Sequence, residues 1–463
     1  MSDAPERVAA WRSAGAVELV LHRQPRLGAM PVLLVHGASA RHETFTLPRS
    51  FGGAPRSLAA WLHHRGFDPW LLDWRGSARV VDESRSRGLL RSARHSFDLD
   101  HAADHDLPEA LARVEAIVAT EGAAQPLVGI VGHCMGAAVL AQAIAKGTLG
   151  ADSHRLRAVL LALGLFYDAP AQSQFRSQDH LLERLLGAPE PPPDIDPRPG
   201  AAWPRELDEL YANLPSGPRH RAGGGEPLPA CDELCNRLSF LYGRPYLEEN
   251  LFPTLHRDLL AIRFEEGGAV PPPGQIVRGA ASGARAELVE AIVGAGARDL
   301  ASRSGVLLAA PRAGSFLDGE PLEAGGARFA TCTSSEEIPA ELSAQFGAIP
   351  LRLYVHAWRN LRRGWAAPFG AGDDDRTLVG AEARRRFGRL GALLLLTGER
   401  NPLWHRRSID RMYEWLVRGP RAAAASVTRR VLRGYGHQDL LWGRRAPDEV
   451  FPWVESALRP RGR

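Results

Sequence analysis

A cysteine that lies between two glycines is the first candidate for a catalytic residue in this sequence. Gly132, Cys134 and Gly136 form a G-x-C-x-G pattern that follows an apolar run and precedes a stretch with helical spacing. A sharp turn from strand to helix presents its central residue in a strained backbone conformation. The start of a helix also places that residue at the positive end of the helix dipole. We therefore predict that Cys134 is a nucleophile whose thiol has a lowered pKa.

A histidine stands where a proton acceptor for this thiol would be needed. His437 follows the last predicted strand and precedes the last predicted helix. An imidazole beside a thiol can accept its proton and favour the thiolate, which is the form that attacks carbonyl groups. We predict that His437 is the general base. The alternative is an ordinary surface histidine, since the chain has 16 histidines.

Acyl transfer also needs two backbone N–H groups aimed at the oxygen on which negative charge develops. The residue after the nucleophile, Met135, is predicted to supply one of them. The other is predicted at Ala38, in the loop His36-Gly37-Ala38 that follows the first clear apolar strand. Because these are backbone groups, the prediction depends on where the two residues lie in the sequence and not on their residue types.

The third member of a catalytic triad would orient the histidine. The loop after the penultimate predicted strand reads Gly398-Glu399-Arg400-Asn401, with an asparagine at the position where an aspartate is usual. Cysteine–histidine pairs can work with an asparagine, as in papain-like proteases on another fold. The sequence leaves both Glu399 and Asn401 open, with a slight preference for the carboxylate of Glu399. Asp439 is interpreted as a local loop carboxylate.

The elements that must position these residues are short apolar runs alternating with stretches of helical spacing, which predicts an α/β fold with a doubly wound, mostly parallel sheet. The predicted strands are 31–35, 68–73, 127–131, 158–165, 391–397 and 426–432. The predicted helices are 57–65, 101–120, 137–146, 408–417 and 447–458.

Four regions follow from this pattern. We predict the core of the fold in residues 1–168 and 346–463, with a helical cap inserted at 169–265. The segment 266–345 is rich in Gly, Ala and Pro and is predicted to be a further insertion or subdomain. Within it, a helix is predicted over 284–301 and a strand over 305–310. The aromatic residues of the cap, between 203 and 246, would suit either an apolar pocket or the core of the cap itself.

The composition limits the possible cellular location of the protein and the kinds of partner that it can bind. The net charge is only +4, and no arginine-rich run interleaved with aromatics predicts a nucleic-acid groove. No stretch has the length and apolarity of a membrane span, and no secretory signal is recognisable, so we predict a cytoplasmic protein. No metal or organic cofactor is predicted. Cys231 and Cys235 could pair or join a metal site, but two ordinary thiols are the favoured interpretation.

Four stretches of the chain resemble the α/β-hydrolase domains that are associated with GMC-type, cholesterol-oxidase-like oxidoreductases. The stretches are Val35–Gly37 with Asp73–Ser77, Gly132–Gly136, Cys231–His256, and Gly434–Asp439 with Trp442–Gly443 and Val450–Pro452. Polyhydroxyalkanoate synthases, which also carry G-x-C-x-G on this fold, are more distantly similar.

The resemblance implies an α/β-hydrolase fold over all of the chain except the segment from 267 to 344. It also implies an apolar, lipid-like substrate and a possible GMC-type oxidoreductase partner. In that group a glutamate directly precedes the asparagine of the acid loop, whereas here Arg400 stands at that place and Glu399 comes one residue earlier. This departure leaves the identity of the triad acid open.

The leading functional prediction is a hydrolase or acyltransferase that acts on an ester or thioester through an acyl-cysteine. One alternative is a non-catalytic protein that binds a lipid-like ligand or an oxidoreductase on a hydrolase scaffold. A second alternative is an acyltransferase like the polyhydroxyalkanoate synthases. The sequence does not choose between water and another acceptor for the acyl group, nor does it give an oligomeric state.

Overall fold

The structure is a computed structural model that describes residues 5–51, 55–92, 95–122, 127–150, 153–178, 180–198, 201, 204, 207, 250–293, 303–418 and 427–460. The cap aromatics between 203 and 246 and the pair Cys231 and Cys235 lie outside these ranges. None of the helices in these ranges combines the length and the apolarity that crossing a bilayer requires.

The strands and helices are numbered in chain order. The strands are β1 (Glu6–Arg12), β2 (Glu18–Arg23), β3 (Met30–Val35), β4 (Phe67–Asp73), β5 (Val128–His133), β6 (Leu156–Leu161), β7 (Asp194–Ile195), β8 (Leu259–Gly267), β9 (Ile276–Gly279), β10 (Arg285–Val293), β11 (Arg303–Ala313), β12 (Pro321–Ala324), β13 (Ala327–Ile338), β14 (Ile349–Pro350), β15 (Ala392–Gly398) and β16 (Val427–Leu432). The helices are α1 (Leu58–His64), α2 (Ala78–Ser86), α3 (Leu99–His101), α4 (Leu107–Thr120), α5 (Met135–Lys146), α6 (Ala171–Gln178), α7 (Leu181–Leu186), α8 (Leu351–Arg363), α9 (Ala381–Phe387), α10 (Arg407–Val417), α11 (Asp439–Trp442), α12 (Ala446–Glu449) and α13 (Phe451–Leu458).

An eight-stranded sheet forms the centre of the fold, in the order β1-β2-β4-β3-β5-β6-β15-β16. In this sheet order, each neighbouring pair from β4 to β16 is parallel. β2 pairs antiparallel with both β1 and β4. Apolar side chains cover both faces of the sheet, as parallel sheets require. This order, with its helical crossovers, is the α/β-hydrolase fold. The predicted fold class is therefore confirmed.

Most core elements match their predicted positions to within a few residues, because buried parallel strands are continuous apolar runs that stand out in sequence. The last predicted helix is interrupted and forms two short helices, α12 and α13. The sequence analysis did not predict β1, β2, α2, α8 or α9. β1 lies at the sheet edge and is mostly exposed, and β2 beside it has an apolar run of only three residues, so neither strand stands out in the sequence.

A closed six-stranded antiparallel barrel is inserted between β6 and β15, in the order β10-β11-β8-β13-β12-β9. Its interior holds a separate apolar cluster that includes Ile262, Phe264, Leu307 and Cys332. Other barrel residues, such as Ala261 and Leu308, pack with the core of the central sheet. The barrel therefore has its own core and also rests on the sheet.

The barrel corrects two sequence expectations. The helix predicted over 284–301 is wrong, since β10 occupies Arg285–Val293 and pairs with β9 and β11. The apolar residues of β10 fit a helical spacing as well as a strand spacing because a bulge between Leu288 and Glu290 shifts the strand's register. The strand predicted over 305–310 lies within β11. The range predicted as cap also includes most of β8, which belongs to the barrel.

Candidate active site

Cys134 lies at the turn between β5 and α5, with φ of 56° and ψ of −123°. Only glycine adopts a positive φ readily, so the surrounding structure must hold this cysteine in place. Its backbone N–H donates to the carbonyl oxygen of Leu161 at 3.0 Å, and its carbonyl oxygen accepts from the N–H of Ala137 at 3.0 Å. The strand–turn–helix geometry predicted around the cysteine is present.

The glycines on both sides of Cys134 are required by close backbone packing. A Cβ at Gly132 would lie 2.6 Å from Cα of Ala137, and one at Gly136 would lie 2.5 Å from the carbonyl oxygen of His36. Real Cβ atoms do not approach other atoms so closely. The G-x-C-x-G spacing thus lets α5 pass directly beneath the turn and beside the loop that carries His36.

The thiol of Cys134 is half-buried in an apolar pocket. Desolvation raises the pKa of Cys134 to about 11, although the nearby indole of Trp404 and the backbone N–H of Met135 act in the opposite direction. The predicted lowering of this pKa is wrong, because the loss of solvation outweighs the start of the helix. The resting form of the residue at neutral pH is therefore the thiol.

His437 lines the same pocket as Cys134 and is itself only 1% exposed. Its loop is held by Asp439, whose carboxylate accepts from the backbone N–H of Gly436 and from the side-chain amide of Asn250, both at 2.7 Å. Burial and the neighbouring ring of His133 hold the pKa of His437 well below its usual range. The imidazole is therefore neutral at neutral pH.

Asn401 is the residue of the acid loop that contacts His437, with its amide Nδ2 3.1 Å from the ring Nδ1. Glu399 is exposed, although its backbone N–H donates to the carbonyl oxygen of Leu432 at 2.8 Å. The slight preference for Glu399 is therefore wrong. β15 ends at Gly398, and the turn that follows leaves Glu399 facing solvent while Asn401 is brought inside.

Ala38 and Met135, the two predicted oxyanion donors, both line this pocket. Met135 is the first residue of α5, and a backbone N–H at that position has no partner within the helix. The loop that carries Ala38 is fixed on both sides. The indole N–H of Trp74 donates to the carbonyl oxygen of His36 at 3.0 Å, and the N–H of Ser39 donates to that of Gly76 at 3.0 Å.

A buried carboxylate, Asp73, lies next to the loop that carries His36 and Ala38. Asp73 accepts from the hydroxyl of Ser77 at 2.8 Å and from the guanidinium of Arg79 at 2.9 Å, and it lies within 3.4 Å of Nε2 of His36. Burial would raise the pKa of Asp73, but the three histidines that surround it, one of which is His36, hold it well below its usual range. Asp73 is therefore ionised and anchors the residue before Gly37.

Two groups of side chains in the described ranges have ligand atoms close enough for a metal, all within 4.8 Å of one another. These groups are His22 with His42 and Asp73, and Asp98 with Asp100 and His356. Other partners already occupy them, because Arg79 bonds to Asp73 and Lys146 bonds to Asp100 at 2.7 Å. Both groups act as hydrogen-bonding networks in this structure.

The rest of the pocket is apolar, and sequence analysis missed most of it. Leu353, Ala357 and Leu361 of α8 line the pocket at a spacing of four residues, and Trp358 lies beside them. That helical spacing was the signal that could have revealed them. Trp404, which faces the thiol, could have been suspected only from its place three residues after Asn401.

No protein-family model matches the chain, and no curated protein matches it. Among solved structures it is similar to an esterase from Thermogutta terrifontis, with 13% identity, a TM-score of 0.43, and coverage of 98% of this chain and 100% of that one. It is also similar to a carboxyl esterase from Bacillus coagulans, with 10% identity, a TM-score of 0.44, and coverage of 99% and 100%. A third is the thioesterase domain from the curacin biosynthetic pathway, with 12% identity, a TM-score of 0.37, and coverage of 98% and 100%. The strand order of the central sheet, rather than these similarities, identifies the fold.

Proposed function

We propose that this chain transfers acyl groups from an ester or thioester through a covalent acyl-cysteine on Cys134. One observation carries the proposal. A single pocket is lined by Cys134 on its strained turn, by His437, and by Ala38 and Met135, whose backbone N–H groups are the candidate oxyanion donors. A nucleophile, an imidazole and two oxyanion donors are the parts that acyl transfer needs.

The chemistry proceeds in two halves. The Cys134 thiolate attacks the acyl carbonyl carbon, and the oxygen that becomes negative is held by the N–H groups of Ala38 and Met135. When this intermediate collapses, the bond to the alcohol or thiol breaks and the acyl group stays on sulfur. Water then completes a hydrolysis, or a second alcohol or thiol completes an acyl transfer.

The lining of the pocket supports an apolar, lipid-like acyl group. Leu353, Trp358 and Leu361 of α8 face the space beside the thiol, and Phe346 and Leu403 close other sides. Apolar side chains of this kind bind an acyl chain by excluding water from it.

A second candidate function is the binding of a lipid-like ligand without turnover, either alone or with an oxidoreductase partner. The observation that favours it is the resting state of the site, in which the thiol of Cys134 stays protonated and the imidazole of His437 stays neutral. A pocket of this kind can hold an apolar molecule without reacting with it.

Intact mass spectrometry separates the two functions. The protein is exposed briefly to p-nitrophenyl and coenzyme A esters of increasing acyl length, as wild type and as Cys134→Ala. We expect an acyl adduct on the wild type that is missing in the variant. The preferred chain length would indicate the length of acyl group that the pocket accepts.

Cys332→Ala is the matched control, because this second cysteine of the described ranges is buried in the barrel. It should form the adduct as the wild type does. If the wild type forms no adduct with any ester and Cys134 resists iodoacetamide in the folded protein, the catalytic proposal fails and the binding function stands.

A further inference from the structure

The amide of Asn401 is fixed in one orientation by its own loop. Its oxygen accepts from the backbone N–H of Leu403 at 3.0 Å and from that of Trp404 at 3.1 Å. Both partners can only donate, so turning the amide over would bring its NH₂ group against two further N–H groups. Asn401 is 5% exposed, and no solvent compensates for bonds lost in this way.

This orientation dictates which nitrogen of His437 carries the proton. The amide NH₂ of Asn401 lies 3.1 Å from Nδ1 of His437, so Nδ1 must accept this hydrogen bond. A neutral imidazole that accepts at Nδ1 carries its hydrogen on Nε2. That Nε2 is buried and has no hydrogen-bond partner among the described residues.

We propose that Asn401 holds His437 in the tautomer protonated at Nε2, which makes the imidazole a hydrogen-bond donor in the pocket and limits the site to acyl donors whose leaving group departs without a proton. The second half of this proposal rests on the proposed acyl transfer. Asn401 acts here as a positioning residue, because it works through His437 and not on the substrate.

The tautomer changes what His437 can do for Cys134. A nitrogen that already carries hydrogen cannot accept the thiol proton, and loss of that hydrogen would leave an imidazolate. In serine proteases, exchanging the triad aspartate for asparagine selects the wrong tautomer and lowers kcat by about 10⁴ with the geometry intact. The same physics applies to this chain, in which the asparagine is the native residue.

A thioester can still react at such a site. The thiol proton of Cys134 passes to water or hydroxide, and the thiolate forms a new C–S bond to the acyl carbon. The old C–S bond then breaks, and the departing thiolate takes a proton from water. Thiols ionise near a pKa of about 8.5, below the pKa of about 11 of Cys134, so the leaving group is the weaker base.

An alkyl oxygen ester meets an obstacle at the same step. Its leaving group is an alkoxide, which is a far stronger base than a thiolate and needs a proton as the C–O bond breaks. His437 in the Nε2–H form cannot supply that proton and recover it by a normal acid–base cycle. The substrate class that fits the site is therefore a thioester, or an ester activated by an acidic alcohol.

Asn401→Asp tests this chemistry, since a carboxylate can accept from Leu403 and Trp404 with one oxygen and from Nδ1–H of His437 with the other. We compare kcat/KM for a thioester and an alkyl oxygen ester of the same acyl group. The wild type should prefer the thioester strongly. The variant should raise the oxygen-ester rate by about 10²-fold or more while the thioester rate changes much less.

Glu399→Gln is the matched control, because it removes the exposed carboxylate of the same loop and should leave the preference unchanged. A folded Asn401→Asp protein in which the preference is also unchanged, or in which both rates fall, would overturn the proposal. So would a loss of the thioester preference in Glu399→Gln.

The wild type supplies a second test that does not depend on any variant being active. Long-range ¹H–¹⁵N spectra of histidine-labelled protein distinguish Nδ1–H from Nε2–H tautomers, and the His437 signals are assigned by their loss in His437→Gln. We expect an Nε2–H signature for His437, and an Nδ1–H signature would refute the assignment of the tautomer. Because this spectrum needs no substrate, it separates a failure here from a failure of acyl transfer itself.

Discussion

The α/β core and the inserted barrel both enclose apolar side chains, but the polar groups buried near the nucleophile differ from the carboxylate buried in the barrel. Near the nucleophile, Cys134 has a positive φ, and Nε2 of His437 and Nδ1 of His133 are buried without partners in the described ranges. In the barrel, the buried carboxylate of Glu320 accepts from the N–H groups of Ala281, Ser282 and Leu317 at 2.7–3.0 Å.

Strained backbone and unsatisfied polar atoms cost stability, and they persist only where the surrounding structure holds them. At Cys134 and His437 both features border one pocket, which indicates that this part of the core is shaped by function. The barrel satisfies the carboxylate of Glu320 fully and encloses its one described cysteine, which is typical of a region shaped by stability.

The sharpest test of this contrast uses the two cysteines. Burial raises the pKa of both Cys134 and Cys332 to about 11, so ionisation alone does not distinguish them. We expect Cys134→Ala to lower acyl transfer by about 10⁴-fold or more, because the attacking atom is lost.

Cys332→Ala should keep the wild-type turnover and lose about 1 kcal/mol in the free energy of unfolding, as a small cavity opens in the barrel. Steady-state rates and urea unfolding measure the two effects. A turnover loss in Cys332→Ala that matches the loss in Cys134→Ala would erase the distinction between the regions.

Two glycines give the next largest contrast. Gly136→Ala puts a methyl group against the carbonyl oxygens of Val35 and His36, and we expect a loss of about 3 kcal/mol in the free energy of unfolding. Gly319 in the barrel has a φ of +82° and no atom within 4 Å of an added Cβ. Gly319→Ala should therefore lose only about 1 kcal/mol, from the left-handed backbone alone.

Urea unfolding of the two variants compares them directly. The prediction is that Gly136→Ala loses more of the free energy of unfolding than Gly319→Ala. Equal losses would mean that the turn at Cys134 is no more tightly packed than a barrel loop.

Glu341 gives a smaller, pH-dependent effect at the boundary between the regions. Its backbone N–H donates to the carbonyl oxygen of Thr254, so it joins the chain segments that enter and leave the barrel. Burial raises the pKa of Glu341 to about 7, although a hydrogen bond from Thr254 and the charge of Arg49 oppose the rise.

The unfolded carboxyl ionises near pH 4.5, whereas the folded one stays protonated up to about pH 7. The stability that this group contributes is therefore complete below pH 4.5 and is lost as the pH rises to 7. We expect a loss of about 2–3 kcal/mol between pH 5 and pH 8, measured by urea unfolding. Glu341→Gln should remove this part of the pH dependence, whereas Glu336→Gln, at an exposed barrel position, should retain it.

The sequence predicted the core well for a physical reason. β3, β5, β6 and β15 are buried on both faces, so each is an unbroken apolar run followed by turn residues. Cys134 follows one such strand, β5, whereas His437 follows β16, a partly exposed strand at the sheet edge, and their meeting in one pocket could be predicted from the strand order. The helix α8 could have been found by the same method, from its spacing of apolar residues.

Other features depended on information that periodicity does not contain. In β10 a bulge and half-exposed faces make the strand resemble a helix, and only its pairing with β9 and β11 decides between them. The choice between Glu399 and Asn401 depended on how the chain turns after Gly398. The raised pKa of the thiol depended on side chains from α8 and the Asn401 loop, which are distant in sequence.

The position of the barrel in the chain has a consequence for folding. β6 ends at Leu161 and its sheet neighbour β15 begins at Ala392, so the sheet can close only across a very long loop. Closure of long loops is slow and costs entropy. The barrel pairs strands that are near one another in sequence. The short pair β7–β14 also joins the chain segment before the barrel to the segment after it. We expect the barrel to form first and to shorten the effective loop, so that an insertion that interrupts the core also helps the core to close.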